Sequence, residues 1–248
     1  MTSHSPSAQI TLDLPVPGRA LAIGAHPDDI DFGCGATLAK WAAGGCVVTE
    51  LVLTDGSKGS WDPASDRVEL ISTRQGEQQA AAACLGAAEV RFLGYVDGEL
   101  DSSLAAREAV CRVIREVRPD VVLGHDPWKP YRLHPDHRHA GLLAVEGIVA
   151  ARDPHFFPEQ GLEPHRPSHL LLWEAEVIDH LESVEAFLEA KMSALLSHRS
   201  QWTSTMSIDA DPEAQRAAFE ARTRERAAAA GAPAGLPYAE PFKRIDRL

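Results

Sequence analysis

The chain has 248 residues, 44% of them hydrophobic and 24% charged, with a formal net charge of −12 at pH 7. This composition is typical of a folded globular protein, and a chain of this length can bury a core without disulfides. The negative charge and the lack of a long basic run argue against nucleic acid or an anionic membrane surface as the main partner.

The cysteines and the N-terminal segment predict a reducing compartment. No C-x-x-C pair occurs among the four cysteines, and Cys46, Cys84 and Cys111 lie in apolar stretches, where a buried thiol is the usual interpretation. The first residues have neither a basic region nor an apolar core of the kind found in secretory signals. Because no stretch approaches about 18 apolar residues, we expect a cytoplasmic protein without membrane insertion.

Short apolar strands alternate with helical segments along the chain. The predicted strands are 19–24, 46–53, 90–93, 121–124 and 169–173, with an edge strand near 9–14. The predicted helices are 35–43, 68–85, 103–118, 137–151, 184–197 and 212–230. This order predicts an α/β fold in one domain, with a mostly parallel sheet and helices on both faces.

The chain divides by composition into three parts. Residues 1–18 form a polar lead-in, residues 19–205 contain the alternating elements, and residues 206–248 form a charged tail. We expect the tail to be a helix followed by a surface strap.

Two dense clusters of His and Asp follow the first and fourth strands of the 19–205 region. The first strand ends in the sequence AHPDD, and the fourth runs through His125 and Asp126 to the sequence YRLHPDH at residues 131–137. Ligands of such sheets bind beyond the carboxyl ends of the strands. We therefore expect the two clusters to meet at one site.

His26, Asp29 and His137 fit the ligand set of a catalytic zinc ion. Such an ion takes three protein ligands and keeps one position for water. It would lower the pKa of that water toward about 7. The sequence therefore predicts a metal site with two imidazoles and one carboxylate.

The remaining residues of the two clusters fit proton transfer. Asp28, next to a ligand, is free to act as a general base on the metal-bound water. His134 would lie near the substrate carbonyl, where it would stabilise the oxyanion and pass a proton to the leaving amine. Asp136 is placed to hold His134 in one tautomer and to raise its pKa.

These motifs resemble the PIG-L/LmbE family of zinc-dependent N-deacetylases. The likeness rests on AHPDD followed by GCGATLAKWAAGG, and on LHPDHRHAG farther along, and it covers roughly residues 19–202. It implies a Rossmann-like fold and a Zn²⁺ cofactor, with another divalent metal such as Fe²⁺ as the alternative. It implies a small N-acylated amino sugar or glycosyl conjugate as substrate, and the same roles for the His and Asp residues as those reached above.

Two further segments extend the resemblance to substrate-binding residues. Arg74, in TRQGEQQAAAACLG, is implied to contact substrate hydroxyls or a phosphate. The alternative is a surface arginine paired with Glu77 or Gln78 of its own helix. The segment LLSHRSQW implies that His198 and Gln201 belong to the pocket wall.

The sequence departs from the family pattern at two points. Ile30 separates the HPDD motif from Asp31, which we expect to support the site rather than to bind the metal. Tyr131 is the candidate for a tyrosine that contacts substrate, although some family members place that residue nearer the histidine corresponding to His134.

The reaction predicted is attack of a metal-bound water on an amide, which releases an amine and a carboxylate. One alternative is an amidase of a larger thiol-conjugate amide, and another is a non-catalytic metal-binding protein, against which the intact Asp28 and His134 argue. A dinucleotide-dependent oxidoreductase would need a G-x-G-x-x-G loop. The sequence Gly33-Cys34-Gly35 does not provide one, although Asp55 is placed as a ribose-binding acid would be. Nothing in the sequence identifies a subunit interface, so a homo-oligomer is left open.

Overall fold

Eight strands form a single sheet in this structure, a computed structural model that describes residues 10–248. The strands are β1 (Thr11–Leu12), β2 (Arg19–Gly24), β3 (Val47–Thr54), β4 (Glu89–Tyr95), β5 (Val121–His125), β6 (His169–Trp173), β7 (His180–Ser183) and β8 (Ala239–Ile245). Their order in the sheet is β1-β7-β8-β6-β5-β2-β3-β4. Residues 1–9, which include the start of the predicted lead-in and of its edge strand, lie outside the described residues.

Within residues 10–248, six α-helices connect and cover the strands. They are α1 (Asp29–Ala43), α2 (Arg67–Leu85), α3 (Leu104–Val117), α4 (Pro135–Arg152), α5 (Leu188–Ser197) and α6 (Pro212–Gly231). Their ends follow local chemistry: the Asp66 side chain accepts hydrogen bonds from the first turn of α2, and Gly86 ends that helix in the left-handed conformation with φ 74°.

The five strands β4, β3, β2, β5 and β6 are mutually parallel, whereas β8 runs antiparallel to both β6 and β7. This confirms the predicted α/β fold with a mostly parallel, Rossmann-like sheet. In the described residues, no helix is both long and apolar enough to cross a membrane. Cys34, Cys46 and Cys111 are buried free thiols, and Cys84 is exposed.

Alternating residues of the buried strands pack into two separate cores. Leu21, Leu51 and Val122 point to the face covered by α3 and α4. Ala22 and Leu123 point to the other face, with side chains of α1, α2 and α5. Strands buried on both faces read as continuous apolar runs, which is why the sequence identifies them.

The end of the chain differs from the predicted surface strap, because β8 lies inside the sheet. Helix α1 has a break at Cys34, with φ −149° and ψ 17°. Glu240 of β8 accepts hydrogen bonds from the backbone N–H groups of Ala36 (3.1 Å) and Thr37 (2.7 Å), just after this break. Lys191 of α5 pairs with the same carboxylate at 2.5 Å. The tail is thus part of the core structure that positions α1.

Candidate active site

The two His/Asp clusters meet because β2 and β5 are neighbours. These strands pair in parallel, with Ile23 opposite Gly124, so the loops that follow them leave the same edge of the sheet. The loop after β2 contains residues 25–28 and leads into α1, and the loop after β5 leads into α4. The two clusters therefore lie together at the carboxyl ends of the strands, the position at which we expect the site.

His26, Asp29 and His137 present ligand atoms that all lie within 4.8 Å of one another. His26 Nδ1 lies 3.2 Å from Asp29 Oδ2, and His137 Nε2 lies 3.2 Å from Asp29 Oδ1. Burial favours the neutral acid, but His137 and His125 outweigh it and hold the pKa of Asp29 well below its ordinary value. This donor set fits a divalent cation.

The other ring nitrogen of His26 is held by carboxylates. Its Nε2 lies 3.0 Å from Asp136 Oδ2 and 3.2 Å from Asp97 Oδ1. A carboxylate at one ring nitrogen of a metal-binding histidine holds the ring proton there. The opposite nitrogen is then free to bind the metal. Burial opposes a charge on His26, yet these acids raise its pKa well above the ordinary value, so the site attracts a positive charge.

Asp136 therefore has a different position from the one predicted. Its oxygens accept hydrogen bonds from the backbone N–H groups of Gly98 (2.6 Å) and Leu100 (3.3 Å), besides contacting His26. Because these partners occupy the carboxylate, it orients His26 rather than His134. Burial and the nearby His26 lower the pKa of His134, which favours a neutral imidazole.

His125 contacts Asp29 of the His26/Asp29/His137 cluster. The indole N–H of Trp173 donates to His125 Nδ1 at 3.0 Å. An indole nitrogen only donates, so Nδ1 is the acceptor and the ring proton lies on Nε2. That Nε2 is 3.3 Å from Asp29 Oδ2, where it can steady the carboxylate.

His137 has a cation on its outer side. Arg132 Nη1 lies 2.9 Å from His137 Nδ1, and Arg132 also pairs with Glu174. Burial raises the pKa of Glu174, but His125 and Arg132 outweigh this effect and lower it to about 2. Glu174 therefore stays ionised beside the cavity.

Asp28 is buried and its backbone is strained. Its φ of 104° is unusual for a residue other than glycine, and such strain persists only where the surroundings enforce it. The Asp28 N–H donates to Gln78 Oε1 at 2.8 Å. Burial raises the pKa of Asp28 to about 6, while Arg74 works in the opposite direction. A carboxylate near this pKa is suited to proton transfer.

Arg74 points into the site rather than along the surface of α2. Its guanidinium donates to the carbonyl oxygens of Pro27 (2.6 Å) and Gly56 (2.9 Å) and lies 3.4 Å from Asp28 Oδ2. Glu77, the alternative partner on the helix, instead accepts hydrogen bonds from Ser200. Arg74 thus holds the loop that carries Asp28.

One cavity of about 530 Å³ opens onto these groups. His26, Asp28, Asp29, Arg74, His134 and His137 all line it. This volume falls within the range of small-molecule sites, about 300–1,000 Å³. The structure therefore brings together the residues predicted to bind the metal, the predicted base and the predicted acid.

Two of the residues predicted to contact substrate lie outside the cavity wall. His198 is fully buried, and its Nε2 contacts Asp31 Oδ2 at 2.8 Å. Asp31 also accepts a hydrogen bond from Gln78 at 3.1 Å, which agrees with a supporting role. Tyr131 is 96% exposed and lines a separate surface cavity with Trp128.

The cavity also contains residues that the sequence did not single out. Asp97 and Glu174 follow β4 and β6, so their position after a strand was the available signal. Neither of them belongs to an HPDD or HPDH sequence of the kind that marks the two motifs. Residues of α6, namely Phe219, Arg222, Thr223 and Arg226, line the cavity as well.

The fold and the residues of this cavity define a hydrolase with a candidate His/Asp metal site. The family model described as "PIG-L: GlcNAc-PI de-N-acetylase" matches residues 21–148. The chain therefore belongs to the PIG-L family of deacetylases, which hydrolyse linear amide bonds.

Individual relatives agree with this assignment. The chain is 36% identical to a diacetylchitobiose deacetylase of Thermococcus kodakarensis over 74% of this chain and 70% of that protein. It is 33% identical to a 1D-myo-inositol 2-acetamido-2-deoxy-alpha-D-glucopyranoside deacetylase of Thermobispora bispora, over 78% and 68% of the two chains. The structure of an N,N'-diacetylchitobiose deacetylase from Pyrococcus horikoshii superposes with a TM-score of 0.84 at 31% identity, over 93% of this chain and 84% of that one.

Proposed function

We propose that this protein removes the acetyl group from the nitrogen of an N-acetylated amino sugar. The observation that carries the proposal is that a His/His/Asp cluster and the buried carboxylate of Asp28 line one cavity. The sugar part of the proposal is supported by the relatives, whose names describe deacetylases of diacetylchitobiose and of an acetamido-glucopyranoside.

In this proposal His26, Asp29 and His137 hold a divalent cation. Two imidazoles and one carboxylate are a common ligand set of catalytic Zn²⁺, which is the cation we expect, with Fe²⁺ as the alternative. When bound, the cation supplies Lewis-acid polarisation of the amide carbonyl and acidification of water.

Asp28 and His134 carry the proton transfers. Asp28 accepts a proton from the attacking water, because its pKa near 6 leaves it ionised at neutral pH and still able to hold a proton. The neutral ring of His134, 4.6 Å from the ring of His26 between centroids, offers an N–H to the carbonyl oxygen as negative charge develops there. Water oxygen joins the acyl carbon, the C–N bond breaks, and the nitrogen leaves with the transferred proton as a free amine.

Arg74 supports this step by its position. It fixes the loop before Asp28 through the Pro27 carbonyl and still lines the cavity. We retain it as a substrate-contacting residue. The positions of His198 and Tyr131 do not favour contact with substrate in this cavity.

The test is release of acetate and primary amine by Zn²⁺-loaded protein from N,N'-diacetylchitobiose, N-acetylglucosamine and an N-acetylglucosaminyl-inositol. We expect equal amounts of the two products from at least one compound. His137→Ala should abolish release, whereas His139→Ala, two residues farther along α4, should not. A metal-loaded protein that releases neither product from any of the three would contradict the proposal.

A further inference from the structure

One face of α6 lines the cavity. Phe219, Arg222, Thr223 and Arg226 follow the spacing i, i+3, i+4 and i+7, which places them on a single face of the helix. These residues lie outside the region 21–148 matched by the family model. This face therefore lies outside the part of the chain that the family model describes.

The orientation of this face is fixed by contacts on either side. Phe219 is buried and meets Phe32 edge-to-face with 6.2 Å between ring centroids. Arg222 Nη2 donates to the carbonyl oxygen of Met206 at 3.1 Å. On another face of α6, Arg224 pairs with Glu189 of α5 at 2.8 Å.

Besides Arg222 and Arg226, the cavity is lined by one other arginine and one lysine, and both already have acidic partners. Arg74 lies 3.4 Å from Asp28, and Lys58 lies 3.0 Å from Glu99. Their charges are thus compensated within the protein.

Arg222 and Arg226 differ in this respect. Within residues 10–248, neither forms an ion pair with a carboxylate. Glu174, an acid on the same cavity, is paired with Arg132. Both arginines are exposed and line the cavity, so their guanidinium groups are open to an anionic group of a ligand. The other acids of this cavity, Asp28, Asp29 and Asp97, each contact Arg74 or a histidine.

We propose that Arg222 and Arg226 form an anion subsite, and that the N-acetylated sugar carries a phosphate or carboxylate apart from its acetamido group. This inference rests on the proposed function. Guanidinium groups bind both anions through paired N–H donors. Arg226 also lines an adjoining cavity of about 280 Å³, which shares Phe32, Thr223 and Glu174 with the first. The two acids of this second cavity, Glu174 and Glu240, are paired with Arg132 and Lys191, so it provides room for the anionic part.

The experiment compares two substrates with the Zn²⁺-loaded enzyme, N-acetylglucosamine 1-phosphate and the neutral methyl N-acetylglucosaminide. We expect kcat/KM to favour the phosphate by about tenfold or more, as for charge-assisted hydrogen bonds. The preference should disappear in the double variant Arg222→Gln/Arg226→Gln and should decline with added NaCl. Arg224→Gln, which removes a charge from another face of the same helix, should keep the preference.

A second pair of substrates separates the two anions. The 4-carboxyphenyl and phenyl glycosides of N-acetylglucosamine differ by a carboxylate only. A preference for the phosphate alone assigns the subsite to phosphate, and a preference in this pair alone assigns it to carboxylate.

Equal kcat/KM for charged and neutral substrates, unchanged in the double variant, would overturn the subsite and leave deacetylation intact. If no sugar is hydrolysed, the proposed function fails, and titration with inorganic phosphate tests the subsite alone. Phosphate binding that weakens in the double variant and not in Arg224→Gln would support the subsite. Absence of binding to the wild-type protein would overturn it.

Discussion

Asp136 and His26 are joined by a contact of 3.0 Å between Oδ2 and Nε2, although they belong to motifs separated by 110 residues in sequence. Because the other partners of Asp136 are backbone N–H donors, only a carboxylate satisfies all of them. The contact therefore links the loop after β2 to the start of α4 and directs His26 Nδ1 toward Asp29.

Asp136→Asn should weaken metal binding, because the amide NH₂ would face a donor and the tautomer of His26 would no longer be fixed. We expect the Kd for Zn²⁺ to rise by about 10–100-fold, the usual effect of losing such a partner. Competition with a chromophoric chelator measures this Kd. The control Glu99→Gln removes an exposed acid from the loop whose Gly98 and Leu100 contact Asp136, and it should bind Zn²⁺ like the wild type. Equal Kd values for all three proteins would contradict the prediction.

Asp28→Asn should retain the metal and lose turnover. The side chain lines the cavity without belonging to the His/His/Asp cluster, so its loss removes the base and not a ligand. We expect kcat to fall by about 10²–10⁴-fold, with metal content measured by elemental analysis. Wild-type turnover in a metal-loaded variant would show that another group accepts the proton.

The pH dependence of kcat/KM should depend on Arg74. Asp28 acts as a base only when ionised, so activity rises with pH through its pKa. Burial raises the pKa of Asp28 to about 6, against the opposing effect of the Arg74 charge. A bound cation would also lower this pKa. We therefore expect the acid limb at or below pH 6.

Arg74→Gln should move this limb to higher pH, because the opposing charge is lost. Arg74→Lys keeps the charge and should restore a limb close to that of the wild type. Identical profiles for the wild type and Arg74→Gln would mean that a different group titrates.

Arg132→Gln should strengthen metal binding. A guanidinium only donates, so its contact with His137 Nδ1 leaves the ring proton on Nε2, the nitrogen that faces Asp29. Cation binding through Nε2 of His137 requires the ring proton to be on Nδ1. The side-chain oxygen of a glutamine at position 132 can accept a hydrogen bond from that N–H. We expect the Kd for Zn²⁺ to fall by about tenfold, whereas Arg138→Gln, an exposed position on α4, should leave it unchanged. A weaker affinity in Arg132→Gln would contradict this interpretation.

The pair His198–Asp31 should make stability depend on pH. Burial disfavours the imidazolium, but the hydrogen bond to Asp31 outweighs it and raises the pKa of His198. A pKa raised above the unfolded value near 6.5 stabilises the protein fully below that pH, and the contribution is lost as pH rises through the folded pKa. The difference in Tm between wild type and His198→Asn should therefore shrink at alkaline pH. The exposed His155→Asn should show no such trend, and a constant difference for His198→Asn would contradict the prediction.

The sequence predicts the central strands and the metal cluster for clear physical reasons. Fully buried parallel strands are continuous apolar runs, and a concentration of His and Asp directly after two of them has little structural use. The ligand atoms of His26, Asp29 and His137 lie together as that pattern predicts.

Other features depend on contacts that no local pattern contains. The segment that forms β8 includes Pro241 and charged residues, which argue against an internal strand. The position of Asp136 on His26 could not be predicted, because His134 is closer in sequence and equally suited to a carboxylate partner. The α6 wall of the cavity depends on how the tail packs against Phe32, a contact between distant parts of the chain.

The place of β8 in the sheet has a consequence for biosynthesis. Of the eight strands described, it is synthesised after all the others, yet it lies between β6 and β7 and supplies Glu240 to the broken helix that begins with Asp29. A nascent chain that has extruded both His/Asp motifs still lacks this carboxylate and the strand that joins β7 to the rest of the sheet. Helix α1 therefore gains the contacts of Glu240 only after synthesis has passed residue 240, and β7 gains its partner strand only when β8 is complete at residue 245.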